Sequence, residues 1–332
     1  MARTSIAVLG DGGWGTTLAI HLHRLGHAVR WWSAFPDYAR RLSSTRLNPR
    51  YLPGIRIPST LAITADLDEA VRTAGIIVLA VPSQHMRAVA RRLRRTRRSA
   101  GAIHVSVAKG IEQGTLRRMS AVITDELGRV RLAVLSGPNI ASEIAKGHPA
   151  SSVAASAQRS VAAAVQRAFM NEQLRIYTST DVSGVELGGA LKNPIAIAAG
   201  ISDGLGFGAN AKAALVTRGV VEMARLGRAM GARTATFWGL SGLGDLVTTC
   251  LAGRNHWLGE QLGQGRSLRS VLGSTPMVIE GVETARAAVA LGRRHRIELP
   301  IIEQVHAVLF RSTPPRRAVR ALMRRTGRSE VS

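Results

Sequence analysis

Cysteine, lysine and long uninterrupted apolar runs are what this 332-residue chain has least of. Its single cysteine, Cys250, excludes an intrachain disulfide and fits a reducing compartment, so a cytoplasmic location is expected. The first apolar run, Ile6 to Leu9 after Met1-Ala2-Arg3, breaks at Gly10, too early for the core of a secretory leader. The longest apolar stretch, residues 185–201, carries Glu186 and Lys192, which would be costly in lipid, so no membrane span is expected. A formal charge of +24 creates a field that attracts polyanions, but no zinc-finger, helix-turn-helix or aromatic nucleic-acid signature accompanies it. No specific nucleic-acid partner is expected. Seven arginines between Arg87 and Arg98, and seven more between Arg311 and Arg328, read as solvated helix faces or tails.

Lysine is scarce in a chain rich in cations: of 45 basic residues only Lys109, Lys146, Lys192 and Lys212 are lysine. An ammonium group can have its pKa lowered far enough for proton transfer, whereas a guanidinium cannot. The surviving lysines therefore stand out as catalytic candidates.

A chain this long outgrows one hydrophobic core, and its texture changes part-way along. Through about residue 180, short apolar runs alternate with helical stretches: Ser5 to Leu9, Ala28 to Trp32, Gly75 to Val81, Ala102 to Ala108, Arg131 to Leu135, Ser151 to Ala155 and Leu174 to Thr178. This predicts a parallel sheet with helices on both faces, several strands being buried on both sides. Beyond Asp181, apolar residues recur at helical spacing between glycine clusters, which predicts an all-helical second half. The expected fold is α/β: a Rossmann-type doubly wound domain, 1–182, followed by an all-α substrate and catalytic domain, 183–332.

Gly10-x-Gly12-x-x-Gly15 follows the first strand and opens a helix from Thr16 to Arg24. In that setting the glycines supply a tight turn, close approach to a pyrophosphate and close helix-to-strand contact, while the helix start offers free N–H groups. The end of the second strand, where an acid would read the ribose 2′-OH of NAD, shows Ser33, Ala34 and Phe35. NADP is therefore permitted, and the choice between cofactors stays open. Lys109 sits at the carboxyl end of one predicted strand, and Ser136-Gly137-Pro138-Asn139 ends the next, where ligands of open α/β sheets bind. Lys192 stands in an otherwise apolar, small-residue helix, where desolvation would lower its pKa and suit it to give a proton to a carbonyl oxygen. Asp245 follows a glycine turn, and Gly253-Arg254-Asn255 offers a guanidinium and an amide suited to a phosphate.

Taken in order, these segments closely resemble the bacterial NAD(P)-dependent glycerol-3-phosphate dehydrogenase family over nearly the whole chain. The resemblance rests on residues 10–17, Asn48 to Ile55, Val81-Pro82-Ser83, Lys109-Gly110-Ile111-Glu112, Leu135 to Pro138, residues 184–193, Gly200 to Gly219 and Gly242 to Leu246. It implies NAD(P)H-dependent reduction of dihydroxyacetone phosphate to sn-glycerol 3-phosphate for glycerophospholipid synthesis, in a homodimer, with no metal ion. Lys192 would donate and accept the proton. Lys109 would touch substrate and cofactor, Gly137 and Asn139 the substrate, and Asp245 the glycerol hydroxyl region. Gly253, Arg254 and Asn255 would lie at the phosphate, Arg254 reaching the cofactor too. Gly13, Trp14, Ala34, Ala141, Val278 and Glu280 match family cofactor positions.

Three positions depart from the family pattern: Ala34 replaces a basic residue or histidine, Asn139 a serine or threonine, and Gly253 a serine. Two other readings compete with the dehydrogenase. One is a related two-domain reductase acting on a carboxylate of β-hydroxyacid or ketopantoate type; the other is a non-catalytic relative that binds polyanions through its arginines.

Overall fold

A computed structural model describes residues 3–327 and 329. The Met1-Ala2 start and Arg328, both part of the expectations above, lie outside the described residues.

The first half alternates strands and helices: β1 Ser5–Leu9, α1 Gly13–Arg24, β2 Ala28–Trp32, α2 Pro36–Thr45, β3 Leu47–Asn48, β4 Leu52–Arg56, β5 Ala62–Thr64, α3 Leu67–Val71, β6 Ile76–Leu79, α4 Met86–Arg94, β7 Ile103–Ser106, α5 Met119–Leu127, β8 Arg131–Ser136, α6 Ala141–Ala145, β9 Ala150–Ala155, α7 Arg159–Phe169 and β10 Leu174–Ser179. The second half is helical: α8 Val182–Gly204, α9 Ala209–Ala229, α10 Asp245–Leu251, α11 Arg254–Gly263, α12 Leu268–Gly273, α13 Glu280–His295, α14 Pro300–Phe310 and α15 Pro315–Met323. The expected Rossmann-type sheet followed by an all-helical half is what the chain forms. No helix among the described residues is long and apolar enough to cross a membrane.

Eight strands form one sheet in the order β10-β9-β8-β7-β6-β1-β2-β5. Every residue of β6 and β7 is buried, as helices on both faces require. The chain leaves β2 and β5 at one edge and returns on the other side of β1 as β6, so the strand order reverses between β1 and β6. Such a reversal opens a crevice at the carboxyl ends of the strands.

The parallel expectation fails at one seam. β8 and β9 pair antiparallel, so β9 and β10 run against the rest. The five-residue α6 between them rises only about 8 Å, too little to carry the chain back along a strand of about 20 Å. The β3–β4 hairpin and the three-residue β5 were not anticipated either, being too short to show a period.

Helix α8 is the axis of the helical half. Asp181 caps it, accepting from the Gly184 N–H at 2.9 Å, while its other carboxylate oxygen holds the Arg233 N–H at 2.9 Å and the Thr236 hydroxyl. Every residue from Gly184 to Ser202 is buried. Glycines make this possible, because a Cβ on Gly200 or Gly204 would collide with the α11 backbone, and one on Gly259 or Gly263 with that of α8.

Side chains tie the two halves together. The Glu186 carboxylate on α8 accepts the Ser120 N–H at 2.7 Å and pairs with Arg118, closing the open amino end of α5. Glu280 on α13 accepts the Ser83 N–H at 3.0 Å, and Gln113 Nε2 donates to the Glu283 carbonyl at 2.6 Å.

In the first arginine tract Arg91, Arg92, Arg94, Arg95 and Arg97 are exposed as expected, but Arg87 is not. Arg87 reaches Glu112, Glu126 and Asp125 at 2.8, 2.7 and 3.1 Å, which holds its guanidinium far above the usual arginine range. Arg91 shares Glu126, and Arg92 lies over the Trp32 ring. The α15 tract does stand in solvent, with Arg325 paired to Glu298 at 2.9 Å.

Candidate active site

The glycine turn is built by exclusion of side chains. Gly10 has φ +121°, and a Cβ there would meet the Ala80 carbonyl of the strand-end beside it at 2.5 Å. A Cβ on Gly15 would strike the Gly10 carbonyl, and one on Gly13 the Tyr51 carbonyl at 2.6 Å. Gly12, by contrast, has nothing within 4 Å, so a Cβ would only fill the hollow above the helix start. Gly12 caps α1 without any side chain taking its first N–H groups. A hollow lined by free backbone donors at a helix amino end fits a pyrophosphate. Ala141, at the start of α6, closes one side, with its carbonyl held by the Thr17 hydroxyl at 3.0 Å. Trp14 packs, half-buried, against the sheet core.

Two buried side chains, backed by the half-buried Tyr38, lock this turn from below. Trp31 Nε1 donates to the Gly10 carbonyl at 2.8 Å, and Asn48 Nδ2 donates to the Asp11 carbonyl at 2.8 Å and the Thr16 hydroxyl at 2.7 Å. Tyr38 in turn holds Asn48 Oδ1 at 2.6 Å. At the end of β2, Ala34 and Phe35 are exposed, while Ser33 is fully buried and donates to the Asp11 carboxylate. A carboxylate of the glycine turn thus stands beside the end of β2, a proximity that sequence order concealed.

At the carboxyl ends of β7 and β8 two lysines converge on one carboxylate. Lys109 Nζ donates to the Gly137 carbonyl at 2.8 Å and to Asp245 Oδ2 at 2.7 Å. Lys192 Nζ donates to Asp245 Oδ1 at 2.6 Å and to the Thr249 hydroxyl. Lys192 and Asp245 are 5% and 1% exposed. Burial, offset by Asp245 and reinforced by the Lys109 charge, pushes the Lys192 ammonium down to about 8. Gly188 and Gly189 permit this convergence, since Cβ atoms there would meet the Ser241 carbonyl and the Ser136 hydroxyl. Asp245 and Thr249 stand one turn apart on α10, and the lone Cys250 follows, buried, its thiol pushed up to about 12 by desolvation.

The remaining candidates divide by orientation. Gly137 has φ +153° and lies against Ser151 and Ser152, so only glycine fits, and its carbonyl faces Lys109. Asn139 Oδ1 accepts the Ser152 hydroxyl at 2.9 Å, which fixes its amide in place. Gly253 has φ +110° at the start of α11, a conformation that a serine would adopt only with strain. Arg254 is exposed, and its guanidinium donates to the Val278 carbonyl at 2.8 Å. Asn255 turns inward instead, accepting the Gly281 N–H and donating to Asn193 Oδ1, both at 2.9 Å. Glu280 lies over Gly110, where a Cβ would sit 2.9 Å from its Oε2, and burial raises its pKa.

Thr249, Asn48, Ser83 and Asn193 were not singled out by role from sequence, although Asn48, Ser83 and Asn193 lie in the quoted segments. Asn193 Nδ2 reaches the Lys109 carbonyl at 3.2 Å, so the two lysine-bearing segments are joined beside the charges.

Comparison with known proteins matches both halves. The family model described as NAD-dependent glycerol-3-phosphate dehydrogenase N-terminus covers residues 5–162, and that for its C-terminus covers 181–320. A glycerol-3-phosphate dehydrogenase (NAD(P)+) of Salinibacter ruber is 47% identical, spanning 98% of this chain and 96% of the relative. Another, from Moorella thermoacetica, is 47% identical over 99% and 98%. The crystal structure of glycerol-3-phosphate dehydrogenase from Coxiella burnetii superposes with a TM-score of 0.93 at 38% identity, covering 97% of this chain and 99% of that one.

Proposed function

The chain belongs to the NAD-dependent glycerol-3-phosphate dehydrogenase family, and from that footing we infer that it reduces dihydroxyacetone phosphate to sn-glycerol 3-phosphate with NAD(P)H, reversibly. The observation that carries the reading is the buried Lys192 ammonium, held by Asp245 and Thr249 with its pKa near 8.

A nicotinamide cofactor held by the glycine-turn residues would supply or remove the hydride at the substrate's C2. Lys192 gives its proton to the carbonyl oxygen as charge develops there, and takes it back in the oxidative direction. Asp245 keeps both ammonium groups in place, and Lys109 adds a second positive charge beside the developing alkoxide. Burial strengthens these interactions by excluding water. Arg254, at the exposed start of α11, would hold the substrate phosphate with Gly253 and with the main chain of Asn255, whose amide is taken up by Gly281 and Asn193, and Gly137 and Asn139 would border the substrate. The pyrophosphate would rest on Gly10, Gly12, Gly13, Trp14 and Gly15. Ala34, Lys109, Ala141, Arg254, Val278 and Glu280 would complete the cofactor site. In this reading residues 1–182 bind the dinucleotide and 183–332 carry substrate and catalysis. The enzyme works as a cytoplasmic homodimer feeding glycerophospholipid synthesis, which light scattering and cell fractionation would check.

Turnover of dihydroxyacetone phosphate in a spectrophotometric NAD(P)H assay, beside ketopantoate and β-hydroxyacids, tests the reaction. Arg254→Ala should raise KM by roughly tenfold to a hundredfold, as loss of a charged hydrogen bond implies, with kcat changed less. Turnover of the carboxylated substrates alone, or salt-dependent DNA binding without turnover, would replace this reading.

A further inference from the structure

In a doubly wound fold the ribose 2′ position of the dinucleotide is read at the end of the second strand, where a carboxylate accepts the 2′-OH and repels a 2′-phosphate. Here β2 ends at Trp32 and is followed by Ser33 and Ala34, neither of them acidic. The acid arrives from elsewhere: Asp11, the second residue of the glycine turn, accepts the buried Ser33 hydroxyl on Oδ2.

The main chain around Asp11 is fixed on both sides. The Gly10 N–H donates to the Trp32 carbonyl at 3.0 Å, Trp31 holds the Gly10 carbonyl, and Asn48 holds that of Asp11 itself. Among the described residues Asp11 forms no ion pair, and its Oδ1 accepts no hydrogen bond. Of the bases on the following helix, Arg40 is paired with Asp37 and Arg41 is exposed. Ala34 carries no group that would shield the carboxylate or offset its charge. One carboxylate oxygen is therefore anchored and the other is without a hydrogen bond, beside the strand end where doubly wound folds place the adenosine ribose.

We propose that Asp11, anchored by Ser33, makes this enzyme select NADH over NADPH, its free oxygen accepting the ribose 2′-OH. The proposal rests on the dehydrogenase reading and decides the cofactor which that reading leaves open. A 2′-phosphate would be brought against a carboxylate that forms no ion pair among the described residues, in a half-buried corner.

Calorimetric titration of the full-length protein with NADH and with NADPH tests the proposal without relying on turnover. The expected result is that NADH binds at least about tenfold more tightly, the scale of one unfavourable charge contact near a protein surface. Asp11→Asn, which keeps the shape and removes the charge, should narrow that ratio about tenfold, mainly by tightening NADPH. Competition against bound NADH by 5′-AMP and by adenosine 2′,5′-bisphosphate needs no variant, and 5′-AMP should win. Equal or tighter binding of NADPH or of the bisphosphate overturns the proposal alone, as does an unchanged ratio in Asp11→Asn. Binding of neither cofactor overturns it together with the dehydrogenase reading.

Discussion

The glycine turn at Gly10 to Gly15 and the charge cluster of Lys109, Lys192 and Asp245 stand at the carboxyl end of the same sheet but are made by opposite means. The turn works through what is missing: three of its four glycines have backbone where a Cβ would be, and its donors are main-chain N–H groups that do not titrate. The cluster works through burial, a Lys192 ammonium and an Asp245 carboxylate with almost no exposure, joined by the half-buried Lys109 ammonium. A site of the first kind answers to volume. One of the second kind answers to charge and pH, and the predictions below separate the two.

Lys192→Ala should have the largest effect, a loss of about 10²–10⁴-fold in kcat, with NADH affinity by fluorescence titration almost unchanged. A comparable loss of affinity would show that the two regions are not separable. Gly15→Ala should do the reverse, because its Cβ overpacks the turn against the Gly10 carbonyl. A destabilisation of about 1–3 kcal/mol in thermal denaturation is expected, together with weaker cofactor binding.

The pH response distinguishes the regions next. The Lys192 ammonium titrates near 8, so kcat for ketone reduction should fall as pH rises through that value, while the oxidative rate rises. Asp245→Asn removes the charge that holds Lys192 up and should move both limbs about one unit lower. Cofactor affinity should stay flat across the same range, and a matching inflection in it would break the distinction. Gly12→Ala is the mildest change, because open space surrounds Gly12. Its stability should stay within about 0.5 kcal/mol of wild type, with only NADH affinity reduced.

The turn and the lysines were legible in the sequence because each announces itself locally, one as a glycine spacing and the other as rare residues in apolar or strand-end settings. The reversed β9 and β10 were not, since direction depends on how far α6 can carry the chain, and apolar runs read alike in either sense. Contacts such as Ser83 with Glu280, or Ser120 with Glu186, join residues far apart in the chain and leave no local trace. The Asp11–Ser33 pair escaped for the same reason: a motif search looks for the acid on the strand it serves. Arg87 escaped because a charge run looks solvated until its acidic partners fold beneath it.

The lone thiol of Cys250 lies one residue beyond Thr249, on the helix that also carries Asp245, buried and held in its protonated form. A thiol in that state is inert to alkylating reagents until its surroundings open. With no competing cysteine anywhere in the chain, the rate at which a coloured disulfide reagent modifies the native enzyme becomes a clock for the loosening of α10. Tracking that clock as cofactor and substrate are added would record how firmly each ligand clamps the catalytic helix.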